Sequence, residues 1–170
     1  MAKAVHSDYR FEPLGKQHDR AVFSCGVEPL DRYFRVQAGQ DSRNRVTSCF
    51  VLVSADGSVA GYYTLSASGI GLTDLPPEFV KKLPRYPIVP ATLMGRLAVH
   101  QRQRGQGLGE LLLFDAFSRT LRSEIASYAF VVDAKDDAAQ AFYERYRFVR
   151  LPGVGRRLFL PVAEIAALFR

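Results

Sequence analysis

Apolar and polar positions change rhythm along this chain, and each change marks the edge of an element. Residues 97–99 read as a buried strand, residues 102–109 as a basic turn with glycines at 105, 107 and 109, and from Glu110 the pattern is helical. Leu113, Phe117 and Leu121 form one stripe of that helix, and Leu108, Leu112 and Ala116 a second. Upstream, residues 9–14 alternate loosely as a first strand. Pro29 between the acids Glu28 and Asp31 marks a helix start, with Leu30, Phe34 and Val36 as its apolar side and a break near Gly39. Residues 49–53 and 59–65 flank Asp56-Gly57, a hairpin signal. On the second of these strands Tyr62, Thr64 and Ser66 share one face, and Tyr63, Leu65 and Ala67 the other. Residues 75–90 are proline-studded and predict an exposed arm with one helical turn over 77–82. Residues 128–132 are a continuous apolar run, hence a buried strand. Residues 133–137 cap a helix over 138–146, residues 148–151 and 157–160 make two closing strands, and residues 163–169 a terminal helix. The alternation predicts an α/β fold, a mixed central β-sheet flanked by helices, and a length of 170 residues predicts one domain over 1–170.

The strand–turn–helix at residues 97–121 is where chemistry is expected. A strand that stops in such a turn and restarts as a helix points free backbone N–H groups, and the positive end of the helix dipole, into one small space. Gly105, Gly107 and Gly109 remove side chains that would keep a ligand off those groups. This is the pattern of a phosphate cradle. A Walker A loop is excluded, because Gly109 is followed by Glu110 and Leu111 rather than Lys and Ser or Thr. The dinucleotide fingerprint is excluded because the third glycine falls one residue early. What remains is Arg102-x-x-Gly105-x-Gly107.

Composition narrows the class further. At 48% hydrophobic the chain is not expected to be disordered. It has no apolar run that would span a bilayer and no signal-peptide pattern at its polar start, so a cytoplasmic protein without membrane contact is expected. Cys25 and Cys49 are too few for a metal-ligand pattern, and His6, His18 and His100 share no ligand spacing, so no metal is expected. His100 ends the strand before the turn and reads as a satisfied strand-end histidine. A net charge of +6 favours a polyanionic partner. Arg43, Arg45, Lys81, Lys82 and Arg85 are the candidate contacts to it, with solvated faces as the alternative.

A second informative stretch follows the strand over 128–132. Phe142 and Tyr146 are i, i+4 neighbours, with Ala138 continuing their stripe, and Tyr143 stands about 100° round the helix from Phe142. The pattern therefore predicts that Phe142 packs while Tyr143 sends its hydroxyl to an edge.

Arg102-x-x-Gly105-x-Gly107 resembles the pyrophosphate loop of the GCN5-related N-acetyltransferases. Phe142 and Tyr143 with Phe148 match the Phe-Tyr-x-x-x-Gly-Phe part of a pattern of the same superfamily. The stretches 23–33, 61–67, 83–91, 95–99, 132–135 and 157–161 together look like the acetyltransferase toxins of bacterial type II toxin–antitoxin pairs. One departure stands out: Arg147 occupies the place where the family has glycine.

The resemblance implies the GNAT fold and transfer of the acetyl group of acetyl-CoA to the α-amino group of an aminoacyl-tRNA, which blocks translation. It implies a cognate ribbon-helix-helix antitoxin and a homodimer. It places acetyl-CoA on Leu97, Ala98, Val99, Arg104, Gly105, Gln106, Gly107, Leu108, Gly109, Asp133 and Phe142, and makes Tyr143 the catalytic residue. The chemistry agrees with the residue type, since a tyrosine can donate a proton to a departing thiolate and an α-amine needs no strong base. Two other readings stay open: acetylation of a small amine or protein N-terminus, and a non-catalytic nucleic-acid-binding domain.

Overall fold

The structure, a computed structural model of the chain, describes residues 8–169; His6 lies outside them. Seven strands, β1 (Arg10–Pro13), β2 (Ser48–Val53), β3 (Val59–Gly71), β4 (Ile88–Val99), β5 (Ala129–Asp133), β6 (Val149–Arg150) and β7 (Arg157–Pro161), form a mixed sheet in the order β1-β2-β3-β4-β5-β7-β6. Its helices are α1 (Glu28–Val36), α2 (Ala38–Arg43), α3 (Pro77–Val80), α4 (Leu108–Arg122), α5 (Asp137–Glu144) and α6 (Val162–Leu168). The described residues divide into two compact units, 8–66 with 95–116 and 67–94 with 117–169.

The first unit is centred on aromatic rings. Phe34 stacks on Tyr62 with centroids 4.4 Å apart, and Phe23 meets both edge-on at 5.1 and 5.7 Å. Cys25, Ala38, Cys49, Val51 and Ala98 fill the space around them. Tyr62 and Tyr63 are both fully buried, so alternate faces of β3 are covered there, and no half-exposed strand results. Their hydroxyls are satisfied, Tyr62 donating to the Leu30 carbonyl at 2.7 Å and Tyr63 to Asp115. The expected apolar side of α1 is corrected at one position: Val36 is 64% exposed and Tyr33 takes the buried place. The helix breaks at Gln37, not Gly39, where φ −120° leaves the helical region and the side-chain amide donates to Asp41 in α2.

In the second unit β4 runs parallel to β5 over Ala91–Met94, and β5 pairs antiparallel with all of β7. The core joins Ile70, Leu75, Val89, Ala91, Val131, Leu151 and Phe159. The proline-studded stretch is not a free arm. Leu75 and Val89 are buried, and Phe79 of α3 sets its edge on Phe159 at 5.0 Å. Proline spacing hid that apolar content, because the residues that pack do not recur with a helical or strand period. The strand after it is also longer than its apolar run, starting at Ile88.

Candidate active site

The glycine turn is built from the end of β4. His100 N–H donates to the Ala60 carbonyl at 2.8 Å, and the chain then takes one 3-10 turn over Gln101–Gln103, in which Arg102 N–H donates to His100 Nδ1 at 3.1 Å. Gly105 and Gly107 both sit in the left-handed region, at φ +79° and +74°, which a side chain would strain. The helix α4 starts at Leu108, two residues before the expected Glu110, and its first bond runs from Leu111 N–H to the Gly107 carbonyl at 3.2 Å. Residues 104–107 are exposed, and nothing lies within 4 Å of where a Cβ on Gly105 would stand. Leu108 and Leu112 anchor the helix in the core. The result is an open loop ahead of the positive end of a 15-residue helix.

The loop is tied down on both sides by the same unit. Gln103 donates to Ser54 Oγ at 3.0 Å, and Tyr9 donates to Gln106 Oε1 at 3.1 Å, beside an open depression of about 510 Å³ that these residues line with Asp8, Ala55 and Asp56. Arg104 is turned back onto the protein: its guanidinium donates to the Cys25 carbonyl. Gln101 N–H donates to the neighbouring Ser24 carbonyl at 2.9 Å.

In the second unit α5 is opened by Asp136, whose Oδ1 accepts the Ala139 N–H at 2.8 Å. It ends at Glu144, so Tyr146 lies past the helix. The expected inward and outward positions are reversed. Tyr143 is buried at 6% exposure, whereas Phe142 is half-buried with Arg145 5.5 Å over its ring, and Ala138 is exposed. The helix end explains the reversal. Arg147 N–H donates to the Glu144 carbonyl at 3.0 Å and Phe148 N–H to the Tyr143 carbonyl at 3.4 Å, with Arg147 left-handed at φ +71°. That is a Schellman motif, and it brings Phe148 under the helix on Tyr143's side, the ring centroids 5.4 Å apart. The glycine expected by the resemblance is the left-handed residue of this motif, and Arg147 adopts the same conformation.

Among the described residues no hydrogen bond reaches the Tyr143 hydroxyl, and none of their buried side-chain oxygens lacks a partner. The hydroxyl oxygen is therefore not wholly covered, although the residue as a whole is buried. Burial, and secondarily the charge of Asp133, push its pKa well above the usual tyrosine value, so it is a neutral O–H at physiological pH. Asp133, at the end of β5, is held by Arg157 through two hydrogen bonds of 2.8 and 3.0 Å.

Arg43, Arg45, Lys81, Lys82 and Arg85 are all exposed, and none forms an ion pair with an acid among the described residues. Arg45 stands left-handed at φ +59°, just past α2. The buried thiols do not suit nucleophilic work: burial pushes Cys25 up to about 11 and Cys49 up to about 12. No cluster of His, Cys, Asp or Glu among the described residues could hold a metal ion, and none of their helices is long and apolar enough to cross a membrane.

Sequence reasoning passed over two polar side chains, the buried Asp31 and the half-buried Arg96. Asp31 is 4% exposed and accepts from Cys25 N–H at 2.8 Å. Arg96 lays its guanidinium 3.4 Å over the Tyr33 ring, whose hydroxyl donates to Asp41 at 2.8 Å. The available signal was position: Asp31 lies three residues before Phe34, on the face that packs.

The family model described as an acetyltransferase (GNAT) domain matches residues 91–157. A probable toxin TacT of Sinorhizobium fredii is 32% identical, with 99% of each chain covered. A tRNA-acetylating toxin of Mycobacterium tuberculosis is 34% identical, over 88% of this chain and 90% of its own. Among solved structures, AtaT complexed with acetyl-methionyl-tRNAfMet superposes with a TM-score of 0.85 at 29% identity, over 96% of this chain and all of the other. AtaTR bound with AcCoA superposes with a TM-score of 0.82 at 29% identity, over 96% of this chain and 99% of the other. A tyrosine-to-phenylalanine mutant of AtaT bound to the C-terminus of the antitoxin AtaR superposes with a TM-score of 0.78 at 27% identity, over 95% and 98%.

Proposed function

The chain belongs to the GNAT acetyltransferase family, and from that premise we propose that it is a toxin that moves the acetyl group of acetyl-CoA onto the α-amino group of an aminoacyl-tRNA in the cytoplasm. The observation that carries the reading is the exposed glycine loop, left-handed at 105 and 107, set at the start of α4. Such a loop accepts a diphosphate on backbone N–H groups, as the residues from Gly105 to Gly109 require. Relatives similar along nearly the whole chain, one a tRNA-acetylating toxin, favour charged tRNA over a small amine or a protein N-terminus. The exposed, unpaired Arg43, Arg45, Lys81, Lys82 and Arg85 suit a phosphate backbone.

Acetyl-CoA supplies an acyl carbon already activated as a thioester. Gly105, Gln106, Gly107, Leu108 and Gly109 hold its diphosphate. The backbone of Leu97, Ala98 and Val99, beyond the last β4 residue paired with β5, takes the amides of the pantetheine arm and polarises the thioester carbonyl. Asp133 and Phe142 flank the thiol end. The N–C bond forms as the neutral α-amine attacks, the C–S bond breaks, Tyr143 gives its hydroxyl proton to the leaving sulfur, and the proton that the attacking nitrogen loses as it becomes an amide returns to Tyr143 through solvent. Burial favours the neutral, proton-donating form of Tyr143. The same proposal takes residues 1–170 as a single acetyltransferase domain. Its partners are charged tRNA, a ribbon-helix-helix antitoxin and a second copy of the chain.

The test is incubation with labelled acetyl-CoA and, separately, charged tRNA, deacylated tRNA and a polyamine. Label on charged tRNA alone is expected. Label on the polyamine alone selects the small-amine reading, and binding to tRNA without transfer selects the non-catalytic one.

A further inference from the structure

The carboxylate of Asp31 and the guanidinium of Arg104 do not touch, yet both hold Cys25. Asp31 is buried in the first unit and accepts two hydrogen bonds from the segment before its own helix, from Cys25 N–H at 2.8 Å and from Ser24 Oγ at 3.3 Å. Cys25 presents its carbonyl to the Arg104 guanidinium, and Ser24 its carbonyl to Gln101 N–H at 2.9 Å. The two ends of the turn that leads into the glycines, 101 and 104, are thus both moored on residues 24 and 25. Gly26 makes the mooring possible. It stands at φ +84°, and a Cβ there would come within 2.8 Å of Arg104 Nη2. Phe23 completes the support, its ring 5.5 Å from that of His100 at the end of β4.

We propose that Asp31 is a positioning residue for coenzyme A: through the backbone of Ser24 and Cys25 it fixes the turn over residues 101–104 and so sets the glycine loop before the diphosphate arrives. Arg104 then acts as a strut of the loop, and the phosphate contacts fall to the backbone N–H groups after it. A carboxylate accepting two donors in a buried place holds them in one geometry, and a charged group makes the stronger hydrogen bonds. A loop ordered in advance spares the ligand the cost of ordering it. The assignment rests on the reading of Gly105 to Gly109 as the coenzyme A cradle, and it gives the chemically unremarked stretch around Asp31 a place in the same site.

The experiment is a double-mutant cycle read by calorimetric titration of coenzyme A into the whole protein. Asp31→Ala and Arg104→Met, folded by circular dichroism, should each weaken coenzyme A about tenfold. The double variant should also lose about tenfold, not a hundredfold, because either change already releases the same strut. The KM for charged tRNA should stay where it is in the wild type. A hundredfold loss in the double variant overturns the proposal, because Arg104 and Asp31 then act independently. Wild-type affinity in a folded Asp31→Ala overturns it too. If Asp31→Ala does not fold, Asp31→Asn takes its place, with a smaller loss expected and the same non-additivity deciding the matter. Failure of the wild type to bind coenzyme A counts instead against the cradle reading.

Discussion

Phe148 holds Tyr143 twice, by a backbone hydrogen bond of 3.4 Å to its carbonyl and by ring contact at 5.4 Å. The tyrosine proposed to meet the leaving sulfur is therefore fixed at a helix end, and its hydroxyl is left without a partner among the described residues.

Tyr143→Phe keeps the ring and both contacts to Phe148, so fold and coenzyme affinity should be those of the wild type. A proton needed only as the C–S bond breaks is worth about 10²–10⁴-fold in kcat. KM should change little, since the interaction arises in the transition state. Steady-state kinetics on charged tRNA checks this, and an undiminished kcat would return Tyr143 to the core.

The pH profile follows from the same residue. An α-amine reacts only when neutral, so the rate should rise with pH up to about 8. Burial raises Tyr143 above its ordinary value, so its acid form persists beyond the pH at which a free tyrosine ionises, and no falling limb should appear below about pH 10. An amide-linked analogue of charged tRNA survives the alkaline buffers this measurement needs. A decline beginning near pH 9 would show the hydroxyl to be no harder to ionise than in water.

Arg147 is left-handed at φ +71°, where the Schellman motif of α5 favours glycine. The conformation costs a residue with a Cβ about 1–2 kcal/mol, of which glycine's extra freedom in the unfolded chain cancels about half. Arg147→Gly should raise the melting temperature by about 2 °C with kcat unaltered. A lower melting temperature would mean that the arginine side chain stabilises the turn by more than the strain it brings.

Charge reversal at Arg43 and Arg45, or at Lys81, Lys82 and Arg85, should raise KM for tRNA several-fold and flatten its dependence on salt, because each phosphate contact releases a counterion. Coenzyme affinity should be untouched. A KM indifferent to both reversals and to salt would leave these groups as solvated surface.

The order of elements and the glycine turn were legible because period and punctuation announce them: continuous apolar runs at β5, the Asp56-Gly57 hairpin, the glycines at 105 and 107. Tyr143 was legible as a residue but not in its direction. The i, i+4 stripe of Phe142 and Tyr146 is the stronger apolar pattern, and only the left-handed turn at Arg147 decides which face Phe148 comes to lie under. Asp31 was opaque for a related reason. Acids at a helix start read as partners of the dipole, and nothing local says that one of them is buried against a segment moored to residues far along the chain.

The partners of the glycine turn are separated from it by long stretches of sequence: Arg104 from Cys25 by 79 residues, and Gln103 and Gln106 from Tyr9 by 94 and 97. Contacts that close such spans carry a loop-closure entropy that local contacts do not. The loop proposed to grip coenzyme A is thus held by contacts that are costly to close, and a bound ligand adds its own free energy to the native state. At a hundred times its dissociation constant coenzyme A would stabilise the native chain by about 2.7 kcal/mol. The melting point of the protein then serves as a gauge of how much coenzyme surrounds it.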